Sequence, residues 1–348
     1  MLAAAPTYAY GPPDRTIPVR KKADHVPAVQ RWSALWPAES VTVGTFGVQA
    51  RSAELIASSE FMRWVEQALC LPGGPTTVDH ARLTDTEGYT HHVVTAYFLN
   101  GEHDAWAARP EVESFWSAEE RKRDEVGVYR ETMTVPTDRI ETIYWPDFPG
   151  GAMRDGSVKI YPTPYCGYYG AMRDRLYCAA TDPISATASA EPKARDGFGD
   201  KWRVSLPANV AIIRSSHTWS AMDAEQLADY EAKLAPPLAR GMAYLETRPP
   251  GCLSLRNATT ATPDGAPVPE MHATGVFIDL KAMEDWAETH RSHAAIFSAA
   301  VARYKSYGPR NQLRTWHEVF VLPEGTVWEY INCHPGTGVL GYFEAESV

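Results

Sequence analysis

His290 and His293 stand three residues apart in a stretch whose apolar residues recur at helical spacing. Trp286, His290, His293, Phe297, Ala300 and Tyr304 step by +4, +3, +4, +3 and +4. One helix over 281–304 would carry all six on a single, inward-facing stripe. Imidazoles on such a stripe are either hydrogen-bonded core groups or ligands, neutral imidazole being the commonest protein ligand for a metal. Three apart, the pair could also hold one ion together. His317 lies in LRTWHEVFVL (313–322), between large apolar residues. In a strand its side chain points to the opposite face from Trp316 and Glu318, as a satisfied core group or a general acid–base. Arg173, Asp174 and Arg175 sit among Tyr168, Tyr169 and Tyr177. Taken alone, that reads as an ion-pair cluster against aromatic stems. Ser215 and Glu141 are unremarkable by residue type.

Other patterns are excluded by their surroundings. Gly336-Thr-Gly338-Val-Leu-Gly341 matches a dinucleotide fingerprint, but it lies seven residues from the end, so no βαβ unit can follow. GxxxxGK[ST], GxSxG and HExxH are absent. Asn257-Ala-Thr259 matches a glycosylation sequon without a secretion signal to give it meaning, since Met1 to Tyr10 lacks the charged and apolar regions such a signal needs.

The elements that must position these residues follow from periodicity. Residues 1–38, rich in Pro, Arg and Lys, read as an extended arm. Strands are expected at 41–49, 92–99, 127–144, 209–215, 252–257, 273–280, 313–322 and 327–332. Helices are expected at 53–71, 105–115, 221–246 (kinked at Pro236-Pro237) and 281–304. Residues 146–157 and 181–200 have loop composition. The chain also repeats itself. GVYRETMTVPTDRIETIY (127–144) aligns with LRTWHEVFVLPEGTVWEYI (313–331) at an offset of 187, placing Glu131 under Glu318 and Pro136 under Pro323. AYFLNGEHDAW (96–106) parallels GVFIDLKAMEDW (275–286), a strand leading into a helix with a Trp. Recurrence of several elements in order implies duplication, each half reading β-α-β-α-β. The expected divisions are an arm at 1–38, a first lobe at 39–145, a connecting segment at 146–207 and a second lobe at 208–348.

The 348 residues are ample for such a core, with 44% hydrophobic and 22% charged. Lys and Arg number 33 against 43 Asp and Glu, a net charge of −10 that lacks a nucleic-acid footprint. The content of 11 Trp, 17 Tyr and 10 Phe excludes disorder, and no apolar run approaches the ~18 residues of a membrane span. Five cysteines (Cys70, Cys166, Cys178, Cys252, Cys333) are odd in number and never paired as CxxC, which argues for a reduced, cytoplasmic protein without a disulfide framework or covalent haem.

Five segments in order, GYYGAMRDR (167–175), NVAIIRSSHTW (209–219), EDWAETHRSHAAIF (284–297), LRTWHEV (313–319) and EYINCHPGTG (329–338), resemble the haem-containing aldoxime dehydratases. FGVQ (46–49) and IETIY (140–144) extend the likeness over most of the chain from about residue 40. The resemblance implies an α+β fold of two tandem ferredoxin-like lobes of the dimeric α/β-barrel type, with antiparallel sheets flanked by helices. It implies a homodimer, non-covalent haem b, and conversion of an aldoxime, R–CH=N–OH, to a nitrile and water. By position, the second histidine of HxxH makes His293 the proximal haem ligand. The histidine of the later strand makes His317 the distal acid–base. Arg175 and Ser215 become the groups that hold the oxime oxygen, and Glu141 the supporter of His317.

That assignment makes chemical sense. Hydroxide leaves poorly, so an imidazolium must protonate the departing oxygen, and the resulting imidazole can then take the carbon-bound proton. A hydrogen-bonding serine and a cationic arginine stabilise charge as N–O breaks. Ferrous iron is required, so activity should fall in air and return with reductant. Two departures bear on the ligands. YKSYGPRN (304–311) lengthens the link between His293 and His317. Arg291 after His290, where relatives often have Pro, allows a continuous helix and keeps His290 as a competing ligand. A haem sensor or carrier without dehydratase activity, a non-haem metal site on His290 and His293 or a metal-free lyase, and a purely structural module are the alternatives.

Overall fold

The computed structural model describes residues 13–348. The expected arm therefore lies partly outside the described residues. Its latter part holds a short strand, β1 (Arg31–Leu35). A first repeat follows as β2 (Ser40–Ala50), α1 (Ala53–Ser58), α2 (Glu60–Ala68), β3 (Thr77–Thr84), β4 (Thr90–Phe98), α3 (His103–Ala107), α4 (Pro110–Ser117) and β5 (Gly127–Pro136). β6 (Ile140–Ile143), β7 (Lys159–Thr163), α5 (Ala171–Arg175) and β8 (Lys201–Leu206) lead to the second repeat. This runs β9 (Ala211–Thr218), α6 (Ala224–Asp229), α7 (Ala235–Glu246), β10 (Cys252–Ala261), β11 (Pro267–Phe277), α8 (Leu280–Thr289), α9 (Arg291–Tyr307) and β12 (Arg314–Val321). β13 (Thr326–Ile331) and β14 (Glu344–Ser347) close the chain. Each repeat is thus β-α-β-β-α-β, one strand more per repeat than the β-α-β-α-β reading.

Local chemistry sets the element ends. β2 is β-branched and buried along nearly its whole length, as befits a strand covered on both faces. Ser59 caps α2, Asp223 caps α6 and Asp279 caps α8, each side chain accepting a free first-turn N–H. Pro236 and Pro237 sit in the first turn of α7, where their missing N–H groups cost nothing, and the expected kink is taken up just before them by a π-helical turn over Tyr230–Leu234.

Twelve strands form one antiparallel sheet in the order β14-β8-β13-β5-β2-β4-β3-β10-β11-β9-β12-β6. Within each repeat the order is ferredoxin-like: β5-β2-β4-β3 in the first, β12-β9-β11-β10 in the second. The repeats join through β3 and β10, with Thr259 opposite Arg82 and Ala261 opposite His80. They also exchange strands. β6 leaves the first repeat to pair with β12, and β13 leaves the second to pair with β5. The sheet ends at β14 and β6, so it forms no closed barrel, and the barrel part of the expected architecture is corrected to an open sheet. Its inner faces nevertheless meet. Val41, Val43 and Tyr97 of the first repeat share one core with Ile212, Leu253 and Phe320 of the second.

Two buried polar networks cross this inner core. Glu318 accepts from the hydroxyls of Tyr97 (2.5 Å) and Tyr144 (2.6 Å) and from the Ala152 N–H (2.7 Å). Arg214 donates to Tyr97 (2.6 Å) and pairs with Asp79 (2.8 Å). Glu131 takes both ends of the Arg256 fork (2.5 and 2.7 Å) and the Tyr330 hydroxyl (2.7 Å). Such pairs fix register between the repeats, since removing one partner would strand a buried charge.

Several expected elements are corrected. The continuous helix over 281–304 breaks at His290, whose backbone is extended (φ −87°, ψ 131°). The helix over 105–115 breaks before Pro110, a residue that favours a first helical position. β3, β7, β8 and β14 lie outside the expected strands. β3 carries Asp79, His80 and Arg82, which hide its strand character.

Candidate functional site

Between the outer face of the second repeat and helices α7, α8 and α9 lies a cavity of about 1080 Å³. Small ligand pockets span roughly 300–1,000 Å³, so this one is at the large end. The sheet makes its floor. The register places Asn257, Ala273, Ser215, His317 and Ile143 side by side on a single rung across five strands. The next rung, Leu255, Gly275, Ile213, Val319 and Glu141, faces the same way. Trp286, His293, Phe297 and Tyr304 line the helical wall, and residues 166–172 with His25, Val29 and Arg31 of the leading segment complete the enclosure.

His293 sits in the first turn of α9, edge-on to Trp286 at 4.9 Å and 6.1 Å from Tyr169 between ring centroids. Burial lowers its pKa, and the Ala287 carbonyl raises it by less, so the ring is kept neutral. Its Nδ1 is buried without a satisfied hydrogen bond. A neutral imidazole on a cavity wall has a ring nitrogen free to hold a metal. His290 is placed elsewhere. It caps α9, its Nδ1 meeting Ser292 Oγ at 2.7 Å, and its ring stacks on Tyr244 at 3.8 Å. The two histidines do not share a face, because the helix break between α8 and α9 turns the earlier one away. His290 does not line the cavity, which removes it as a competitor and removes the paired His290–His293 site.

His317, Glu141 and Arg175 meet at one edge of the floor. Glu141 Oε2 accepts from Arg175 Nε at 2.6 Å, and its Oε1 lies 3.0 Å from His317 Nε2. Arg175 Nη2 lies 3.1 Å from the same nitrogen, and Nη1 is anchored on the Tyr165 carbonyl. Burial would raise the Glu141 pKa, but Arg175 and His317 outweigh it and hold the carboxyl ionised. His317 Nε2 can thus accept from Arg175 when neutral and face Glu141 when protonated. Among the described residues its Nδ1 has no hydrogen-bond partner. Ser215 stands on the adjoining strand directly opposite His317, so its hydroxyl shares the floor with the imidazole. All five sequence-derived residues converge: His293, His317, Arg175 and Ser215 line the cavity and Glu141 buttresses it from the next rung.

The rest of the MRDR segment is structural. Arg173 forks onto Glu284 (2.8 Å from Nη2) and the Pro183 carbonyl. Asp174 is buried and accepts the backbone N–H groups of Arg20 and Lys21 and the Tyr168 hydroxyl, tying the leading segment over the cavity. Sequence reasoning missed that segment's contribution, and also His217, on the floor two residues beyond Ser215. Burial pushes the His217 pKa down to about 4, and it pairs with the Tyr230 hydroxyl at 2.8 Å. NVAIIRSSHTW alternates, so the period that turned Ser215 inwards carried His217 with it.

Among the described residues one further group has metal-like spacing: Asp85, His91 and His334. Asp85 Oδ2 lies 2.9 Å from His91 Nε2 and 2.7 Å from His334 Nε2. His334 Nδ1 accepts the Gly336 N–H at 3.1 Å, so its proton is on Nε2 and given to Asp85. A nitrogen carrying that proton has no lone pair for a cation. The group is a clasp between the β3–β4 turn and the C-terminal segment that holds the GTGVLG sequence. Asn257, of the apparent sequon, is in mid-sheet facing the cavity, where no glycan fits.

Comparison with known proteins agrees with this geometry. The sequence pattern of the haem-containing dehydratases matches residues 44–339. The chain is 30% identical over 341 residues to a phenylacetaldoxime dehydratase of Bacillus sp. (strain OxB-1), covering 93% of this chain and 95% of the relative. It is 32% identical over 340 residues to an aliphatic aldoxime dehydratase of Pseudomonas chlororaphis, covering 94% of each. A solved aldoxime dehydratase in complex with butyraldoxime superposes with a TM-score of 0.88 at 28% identity, over 97% of each chain. With its cavity, its neutral cavity-facing histidine and a family match over most of its length, the chain belongs to the haem-containing dehydratases.

Proposed function

We propose that the cavity binds haem b through His293 and converts aldoximes to nitriles and water. The observation that carries this reading is that one cavity has a neutral histidine with an unsatisfied Nδ1 on its helical wall and a His317–Glu141–Arg175 cluster with Ser215 on its floor. The residues fit the cofactor. Trp286, Tyr169 and Phe297 offer flat apolar surface beside His293, suited to a planar macrocycle. Ferrous haem, when bound, supplies electron density to the oxime nitrogen and so weakens the N–O bond.

The protein residues do the rest. Ser215 and Arg175 hydrogen-bond the oxime oxygen and stabilise charge there. Protonated His317, its charge balanced by Glu141, gives a proton to that oxygen. The N–O bond breaks and the oxygen leaves as water. Neutral His317 then removes the proton on the adjacent carbon, the C–H pair becomes the third C–N bond, and the imidazolium is restored. Proton and electrons balance without net oxidation. Glu141 positions His317, its Oε1 3.0 Å from Nε2.

The test is an absorption spectrum of haem-reconstituted protein, oxidised and then reduced with dithionite, before and after adding Z-phenylacetaldoxime. A Soret band that shifts with the oxime, followed by nitrile, supports the reading. A band with no nitrile from any aldoxime would leave a haem carrier. Further support comes if His293→Ala loses the band while His317→Ala keeps it and loses turnover by about 10²–10⁴-fold. Full turnover in His317→Ala sinks the acid–base assignment.

The same reading makes the protein a cytoplasmic homodimer, with the chain divided at 1–38, 39–145, 146–207 and 208–348. The five free cysteines support a reducing setting. Among the described residues no helix is long and apolar enough to cross a membrane. Sizing chromatography of the holoprotein and limited proteolysis test the dimer and the divisions.

A further inference from the structure

Asn257 is a polar side chain on the cavity floor. Its neighbours in sequence, Arg256 and Ala258, are buried towards the inner core, Arg256 on Glu131. Strand alternation therefore turns Asn257 outwards, into the cavity. It shares the rung of Ser215 and His317, with only the methyl group of Ala273 between it and Ser215. Leu255, Gly275 and Ile213 form the rung on one side of it, and Thr259, Met271 and His217 the rung on the other. Among the described residues the Asn257 amide has no hydrogen-bond partner. Two strand spacings put it roughly 10 Å from Ser215. Asn257 is half-buried, so its amide is free to bond whatever enters the cavity, and a ligand that covered it without a polar partner would incur a desolvation cost.

We propose that Asn257 is a specificity-determining residue that hydrogen-bonds a polar group at the far end of the substrate. This rests on the dehydratase reading above and deepens it. A substrate whose oxime oxygen lies at Ser215 and whose body crosses Ala273 ends at Asn257. Its length suits an arylalkyl aldoxime, with a phenolic hydroxyl or ring N–H at the far end to meet the amide, which both donates and accepts. The nearest neighbours of Asn257 on the floor, Leu255, Ala273, Gly275 and Met271, carry no charge, so it faces a neutral part of the ligand.

The test compares kcat/KM for 4-hydroxyphenylacetaldoxime and phenylacetaldoxime in the holoenzyme and in Asn257→Leu, close to isosteric. The expected result is a fall of about tenfold or more in the ratio of the first to the second, mostly through KM, with Asn257→Ser recovering part of it. A ratio unchanged within about twofold, in a variant that keeps its Soret band and turns over phenylacetaldoxime, overturns the assignment while the dehydratase reading stands. Loss of the Soret band in both variants also overturns it, because Asn257 would then serve the cofactor. Failure of the unaltered protein to make any nitrile removes the dehydratase reading itself, and this inference with it.

Discussion

The two repeats share strand order and helix placement, but the space between sheet and helices is filled in one and hollow in the other. In the first, Phe46 and Phe98 point outwards from the sheet and meet Phe61, Trp64, Trp106 and Trp116 from the helices. Their rings pack at 4.9 Å for Phe98 and Trp106 and 5.3 Å for Trp64 and Trp116. In the second, the outward positions are Ile213, Ser215, Ala273 and Gly275, and the large side chains stand back on the helices. Trp106 and Trp286 hold comparable places on α3 and α8, after strands β4 and β11. Trp106 is fully buried with its indole N–H on the Ala68 carbonyl (2.8 Å), whereas Trp286 is half-buried beside His293. Small residues on the sheet, not a different topology, make the cofactor space. Duplication supplied one copy to fold and one to empty.

The largest effect should come from reversing the roles of those tryptophans. Trp106→Ala removes a ring from a packed cluster and should cost about 3–5 kcal/mol of stability. Trp286→Ala opens a space that is already open, and should cost the apoprotein well under half of that while weakening haem retention. Urea denaturation of both apoproteins, with haem titration of each, measures the contrast. Equal losses of stability would mean that the second repeat relies on its cavity wall as a core.

A buried carboxylate gives the next contrast. Glu131 and Glu318 hold the inner core, while Glu141 supports the site. Glu141→Gln removes the charge beside His317 and Arg175 but keeps the shape. Turnover should fall by about 100-fold with the Soret band retained, the low end for disturbed acid–base catalysis. Glu131→Gln leaves Arg256 without its charge partner in the core, so it should lower stability and leave the oxime-induced spectral shift of the surviving folded protein in place. The two variants separate site from scaffold by spectrum and unfolding midpoint.

How much of this could be read from the sequence divides along the same line. His293 and His317 stood out by residue type and pattern, whereas Arg175, Ser215 and Glu141 entered only through the likeness of their segments to the haem-containing dehydratases; the structure brings all five to one cavity. The duplication was legible because β5–β6 and β12–β13 align without a gap. The helix break at His290 was not, because THRSH contains neither Gly nor Pro, and a histidine cap gives no period change. β3 was hidden because Asp79 serves the inner network and His80 and Arg82 are polar on the other face. The cavity was hidden for a more general reason. Periodicity shows which face is covered, but not whether the covered space is filled. Asn257 went unread because its meaning depends on a rung across five strands, set by pairings distant in sequence.

Acid should distinguish the repeats modestly. Burial raises the Asp85 pKa, but the N–H donors of His334 and His91 outweigh it and hold the carboxyl well below its usual range. A depressed folded pKa contributes stability that is fully present above the unfolded value near 4 and is lost as pH falls towards the folded one. The protein should therefore be more stable than Asp85→Asn at pH 7, and the two unfolding midpoints should approach each other as pH falls below about 5 towards the depressed folded pKa. Parallel curves would show that the clasp does not depend on the carboxylate charge. The clasp joins the first repeat to the C-terminal segment, so haem affinity at neutral pH should change little in the variant.

The smallest effect tests what the repeats have in common. Gly88 turns the β3–β4 hairpin at φ +79° and Gly265 the β10–β11 hairpin at φ +88°. Both are left-handed positions where a Cβ is strained, and in each case the nearest atom to an added methyl belongs to a flexible arginine, Arg51 at 3.1 Å and Arg82 at 3.0 Å. The arginine can move aside, so the backbone term dominates and each Gly→Ala change should cost about 1 kcal/mol. Equal costs, measured by urea unfolding of the apoprotein, would show that the hairpins of the two repeats are energetically alike. A much larger cost at Gly265 would locate part of the difference in the turn that sets the β10–β11 register, and with it the alignment of Asn257 with Ser215.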